Sequence, residues 1–201
     1  VVTKGAGETA DVRTLTSTTA SVKVIQDPAI PNAIAAVYAA AKAETDATAK
    51  TLKALKDANL VNAGLKDVED ANAAAYVEAF KAVNATDATI ATVQEIVNTV
   101  NAAEALKAAI VALEENPTLA TLKVEEFGWS ADTTKNELPL VDKNEALYVT
   151  AINEAVEAAT ESAPAFKTAA DVKALVEAVN ATPIGTLNAQ TSLTAIEKAL
   201  L

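Results

Sequence analysis

The chain has 201 residues, 51% hydrophobic but only 3% aromatic, with a formal net charge of -11 and no histidine, cysteine or methionine. Without imidazole or thiol there is no His-based triad, no Cys nucleophile, no Cys/His zinc site and no disulfide, which points away from an enzyme. The acidity argues against nucleic acid and anionic membrane surfaces as partners, since both are bound through clustered Lys and Arg.

Residues 1–29 come first and stand apart from the rest. Val12, Thr14, Leu15, Thr16, Thr18, Thr19, Val22, Val24 and Ile25 are β-branched or apolar, which predicts one or two strands closed by Asp27-Pro28. So short an extended piece cannot build its own sheet core, so it is expected to be a linker or the end of a preceding β domain. The chain starts at Val1 and contains no Met, as expected of a processed product or an excised fragment.

Residues 30–117 are expected to hold two helical repeats. The stretches 32–63 and 65–116, like 140–163 further on, lack both Gly and Pro and are rich in Ala, Leu, Glu and Lys. Val93, Ile96, Val97 and Val100 fall at i, i+3, i+4 and i+7, the spacing of one apolar helix face. Asn101 precedes Glu104 by three residues, so Val100-Asn101-Ala102 predicts a corner at which Asn101 caps a new helix. Leu106, Ala109, Ile110 and Leu113 would face the core from that helix, which should stop at Asn116-Pro117.

Residues 118–143 interrupt the pattern and are read as an irregular loop. They hold the single Trp, Trp129, beside Phe127 and Gly128. Two readings stay open: the aromatic pair pins the loop onto the helices, or it forms an exposed contact surface, in which case Phe127 and Trp129 are the candidate binding residues.

Residues 144–201 predict a third repeat. The block from Asn144 through Tyr148 and Val149 to Ile152 matches that from Asn72 through Tyr76 and Val77 to Phe80 without a gap. Val172, Leu175, Val176, Val179 and Asn180 likewise match Val93, Ile96, Val97, Val100 and Asn101. A shorter first copy aligns Thr45-Asp46-Ala47-Thr48 with Thr86-Asp87-Ala88-Thr89, and Leu52 and Leu55 with Val93 and Ile96. Tyr38, Tyr76 and Tyr148 then each lie in the first helix of a copy, with Tyr76 and Tyr148 expected in equivalent buried positions. Leu193, Ile196, Leu200 and Leu201 would line a closing helix. The fold expected is mainly α: two to three small helical bundles after a short β-like N-terminal segment.

Motifs for specific chemistry are sparse. The acid pairs Glu69/Asp70, Glu114/Glu115 and Glu125/Glu126 are adjacent in sequence and point apart on a helix, unlike the opposed carboxylates of a glycosidase. No calcium-loop run occurs, Gly5-Ala-Gly7 lacks the pattern of a phosphate cradle, and there is no Ser-x-x-Lys. No cofactor or metal is expected. Asn84-Ala85-Thr86 and Asn180-Ala181-Thr182 satisfy the N-glycosylation pattern, yet both sit near expected helix ends, where Asn and Thr also serve as caps. With no run of 18 apolar residues, no membrane span is expected.

Cys-free, aromatic-poor, acidic helical copies ending in V-x-x-[IL]-V-x-x-V-N-A resemble the repeat modules of Gram-positive S-layer and other secreted cell-surface proteins, over roughly residues 30–201. The resemblance implies a secreted, cell-surface or cell-wall location. It also implies a non-catalytic scaffold or spacer whose partners are neighbouring domains of a longer chain, identical copies, or a cell-wall or protein ligand. Residues 1–27 would then end a neighbouring β-sandwich. An adhesin-type module binding a protein or glycan through the 118–143 loop is the alternative.

Overall fold

Ile34, Val37, Tyr38 and Ala41 recur at helical spacing, and in the computed structural model, which describes residues 28–129 and 140–190, they form the buried face of α1 (Ala29–Ala41). The helices α2 (Ala47–Leu55), α3 (Ala58–Asn62), α4 (Ala73–Ala82), α5 (Ile90–Glu115) and α6 (Leu119–Leu122) come next. The order continues with α7 (Glu145–Ala158), α8 (Ala169–Asn180) and α9 (Pro183–Asn188). Single 3-10 turns occupy Asp70–Asn72, Glu125–Phe127 and Asp142–Asn144. The fold is mainly helical, and the described residues contain no strand, only one isolated bridge between Thr160 and Ala163. The expected strands in 1–27, and all but the first three residues of the closing helix expected over 188–201, lie outside the described residues.

The chain divides into two compact units, residues 1–100 and 101–201. In the first, α1, α2 and α4 pack on one another around Val37, Leu55, Leu60, Tyr76, Phe80, Val93 and Val97. In the second, α8 packs against α7 and the 125–127 turn around Leu113, Leu122, Phe127, Tyr148, Ile152, Val172 and Val176.

Three helices begin with reciprocal Thr caps. Thr89 and Thr92 exchange amide-to-hydroxyl bonds of 2.8 and 3.3 Å at the start of α5. Thr118 and Thr121 do the same before α6, where Pro117 has ended the preceding helix. Thr168 pairs with Asp171 at α8, whose carboxylate accepts from the Lys167 and Thr168 amides and the Thr168 hydroxyl. Those bonds, the Lys167 amide first, hold the Asp171 carboxyl below the ordinary carboxylate range. Asp46 and Asp87, at matching places in the two Thr-Asp-Ala-Thr stretches, both adopt the left-handed backbone, with φ of 55° and 60°. A short polar side chain is among the few that tolerate this region.

The expected corner at Asn101 does not exist, because α5 runs unbroken from Ile90 to Glu115. Asn101 is followed by Ala102, Ala103, Glu104, Ala105 and Leu106, all strong helix formers with nothing to stop them. Its counterpart Asn180 does end a helix. There Thr182 accepts a bond from the Gly185 amide at 3.0 Å and Pro183 occupies the first position of α9, a start signal absent after Asn101. Of the stretch 118–143 read as an irregular loop, the described first part holds α6 and the 125–127 turn, while 130–139 lie outside the described residues.

Thr51 in α2 is fully buried, and its hydroxyl oxygen has no hydrogen-bond partner among the described residues. Replacing it with the near-isosteric Val removes the unmet polar atom. Thr51→Val is expected to raise stability by about 1 kcal/mol, read as a higher thermal midpoint; an unchanged or lower midpoint contradicts the assignment.

Candidate functional site

Among the described residues, a cluster of hydrogen-bonded polar side chains, with Asn144, Tyr148 and Asn180 buried, belongs to the second unit. The 142–144 turn places Asn144 one residue before α7, Tyr148 lies one turn later, α8 delivers Asn180 from its last position, and α9 brings up Asn188. Asn144 Nδ2 donates to Asn180 Oδ1 at 2.8 Å and to the Gly185 carbonyl at 3.2 Å. The Tyr148 hydroxyl donates to the same Asn180 Oδ1 at 2.6 Å and accepts from the Val141 amide at 3.0 Å. Asn188 Nδ2 closes the cluster on Asn144 Oδ1 at 2.8 Å.

Every group in this cluster is an amide, a phenol or a backbone atom, and each named group is engaged with another. Such an arrangement has no free nucleophile or base to offer a substrate, and its chemistry is that of a fastening between two helices and a short third. Gly185 belongs to it for steric reasons. A Cβ there would lie 2.1 Å from the Val179 carbonyl oxygen. Gly185→Ala is therefore expected to force α9 away from the end of α8 and cost about 1–3 kcal/mol, measured by denaturant unfolding; a neutral result means α9 docks differently.

The first unit carries part of the same build. The Glu69 amide donates to the Tyr76 hydroxyl at 3.0 Å, the same seven-residue span as Val141 to Tyr148. A 3-10 turn ending on Asn72 precedes the Tyr76 helix, as one ending on Asn144 precedes the Tyr148 helix. Both rings are fully buried. Tyr38 differs, because Pro31 stands seven residues before it and has no amide hydrogen. Its ring instead meets Phe80 edge to face at 5.2 Å, and burial pushes its phenol pKa up.

Phe127 and Trp129, the candidate binding residues, are brought together but not presented alike. Phe127 is fully buried at the 125–127 turn, where its ring joins the core of the second unit. Trp129 is half-buried, donates its indole N–H to the Leu122 carbonyl, and meets Phe127 edge to face at 6.5 Å. Lys173 of α8 lies over the Trp129 ring at 5.8 Å and donates to the Gly128 carbonyl at 2.8 Å. The geometry of the pair is that of a loop pinned to α8.

Of the acidic pairs, Glu69/Asp70 serves local roles. Asp70 forms an ion pair with Lys56, and Glu69 accepts from Asn72 Nδ2 at 3.0 Å. Among the described residues no three acidic side chains gather as a metal site would require. In the first unit an open apolar groove of about 320 Å³ is lined by Ala79, Val83, Glu95, Ile96, Thr99 and Val100. Among the described residues one helix, α5, is long and apolar enough to cross a membrane by length and composition. Much of that apolar character is alanine, and Asn98, Asn101, Glu104 and Lys107 fall along the same stretch. Residues of its first half, Val93, Val97 and Val100, enter one apolar core, and Ile110 and Leu113 of its second half enter the other.

The signal for the buried cluster lay in the repeated Asn-x-x-x-Tyr spacing. It reads from sequence as half a helical face, and nothing in it announces that the Asn side chains turn inward. Comparison with protein-family models, curated proteins and solved structures finds no match.

Proposed function

We propose that this chain is a non-catalytic scaffold or spacer module of a secreted, S-layer-like bacterial cell-surface protein, built from repeated helical bundles that contact neighbouring domains or identical copies. The observation that carries this reading is the shared build of the two units: a 3-10 turn ending on Asn, a helix with a buried Tyr, and a phenol bonded to the amide seven residues back. Reuse of one packing unit is typical of a solenoid or array, in which each copy adds length. The engagement of Asn144, Tyr148, Asn180 and Asn188 with one another supports the same reading, since they fasten helices.

The adhesin alternative places the contact at Trp129, and one variant separates the two. Trp129→Ala removes an indole bonded to Leu122, set edge to face with Phe127 and covered by Lys173. A packing role predicts a loss of roughly 2–3 kcal/mol, less than the roughly 3–5 of a fully buried aromatic. Self-association and binding to isolated cell wall should persist in the folded fraction. Unchanged melting with lost binding would replace the scaffold by the adhesin, and turnover of any substrate by the intact chain would overturn both.

A further inference from the structure

The tripeptide Asn-Ala-Thr occurs at 84–86 and again at 180–182, and the fold treats the two in opposite ways. Asn180 is 8% exposed, and its Oδ1 holds both Tyr148 and Asn144. The Thr182 hydroxyl is committed too, donating to the Val179 carbonyl at 2.7 Å and accepting from the Gly185 amide. Asn84 lies in the exposed connection between α4 and α5, and Thr86 is exposed with it. Asn84 stands six residues before the start of α5, whose cap is Thr89, so helix capping does not account for the motif there.

The Asn84 carboxamide oxygen accepts from the Thr86 amide at 3.3 Å and from the Thr86 hydroxyl at 3.1 Å. With Oδ1 engaged in this way, Asn84 Nδ2 donates to no described residue. Asp87, next in sequence, holds the left-handed backbone with φ of 60°. Amide nitrogen and hydroxyl are thus presented together on an open turn, the arrangement an N-glycosylating enzyme reads in Asn-x-Thr.

We propose that Asn84 is an N-glycosylation acceptor and that Asn180 is not one in the folded chain. The co-substrate class is a glycosyl diphosphate, nucleotide- or lipid-linked, used by a separate glycosyltransferase. Asn84 Nδ2 bonds to the anomeric carbon, the anomeric C–O bond to the diphosphate breaks, the diphosphate departs with the electron pair, and one amide proton passes to the enzyme's base.

The test incubates the folded 201-residue chain in two arms, with a soluble N-glycosyltransferase and a nucleotide-activated hexose, or with oligosaccharyltransferase membranes and their lipid-linked donor. Peptide mapping locates the product. The expected result in at least one arm is modification of Asn84, with Asn180 modified at least about tenfold more slowly because it must first be exposed by local opening. Asn84→Gln and Thr86→Val should abolish the product, Thr86→Ser should retain it, and prior denaturation should bring Asn180 up to Asn84. The arm that succeeds identifies the donor. No product at Asn84 in either arm, or comparable modification of both sites in the folded chain, overturns the proposal.

Discussion

Phe80→Ala and Phe127→Ala are each expected to lower stability by about 3–5 kcal/mol, with the loss confined to the unit that holds the deleted ring. Both side chains are fully buried, and they belong to apolar clusters that share no buried residue. Phe80 meets Tyr38 and sits among residues of α1, α2, α4 and the first half of α5, so its removal should speed amide exchange in those segments and leave α7 and α8 protected. Phe127 is the anchor of the 125–127 turn against α8, and its removal should speed exchange in α7, α8 and the second half of α5 while α1, α2 and α4 stay protected. Calorimetry of the two variants should show different parts of the melt displaced. Identical effects on exchange in all helices would mean that the two clusters melt as one cooperative core.

Asn180→Ala should be the most damaging polar substitution. It strips the acceptor from the Tyr148 hydroxyl and from one Asn144 hydrogen, and both donors are buried where water cannot replace it. Two orphaned donors at roughly 1–3 kcal/mol each predict a loss of about 2–4 kcal/mol once relaxation is allowed for. Tyr148→Phe should cost less, since it leaves Asn180 bonded to Asn144. The double variant should lose less than the sum, because each single change already breaks the shared bond. Urea unfolding of the three proteins measures this; strict additivity would show that Tyr148 and Asn180 are not coupled.

The helical class, the fully buried Tyr76 and Tyr148, and the stop at Pro117 were all legible in the sequence, because each rests on local spacing or on a residue with one strong preference. The Asn101 corner was not. Val-Asn-Ala is the same at 100–102 and 179–181, and only the next residues along the chain decide the outcome, good helix formers in one case and Thr182-Pro183 in the other. The Thr-based caps were hidden because the usual capping-box signature has Glu or Gln at the third position, where these helices carry Thr92, Thr121 and Asp171. Ile96 and Leu175, expected on the buried face, are only partly covered, whereas Val97 and Val176 beside them are fully buried. The i, i+3, i+4, i+7 pattern defines a stripe but not its centre. The candidate pair Phe127 and Trp129 stood out by rarity, and rarity does not distinguish a ring that anchors a turn from one that meets a partner.

Most domain boundaries fall in exposed, irregular linkers, but here the division between the two units falls at Val100 and Asn101, inside α5. A protease needs several residues of extended chain in its cleft, and hydrogen-bonded helix does not supply them without local unfolding. Limited digestion should therefore leave the midpoint of this chain uncut for as long as α5 holds, and a gene fragment ended at residue 100 would cut the helix through rather than release an intact unit.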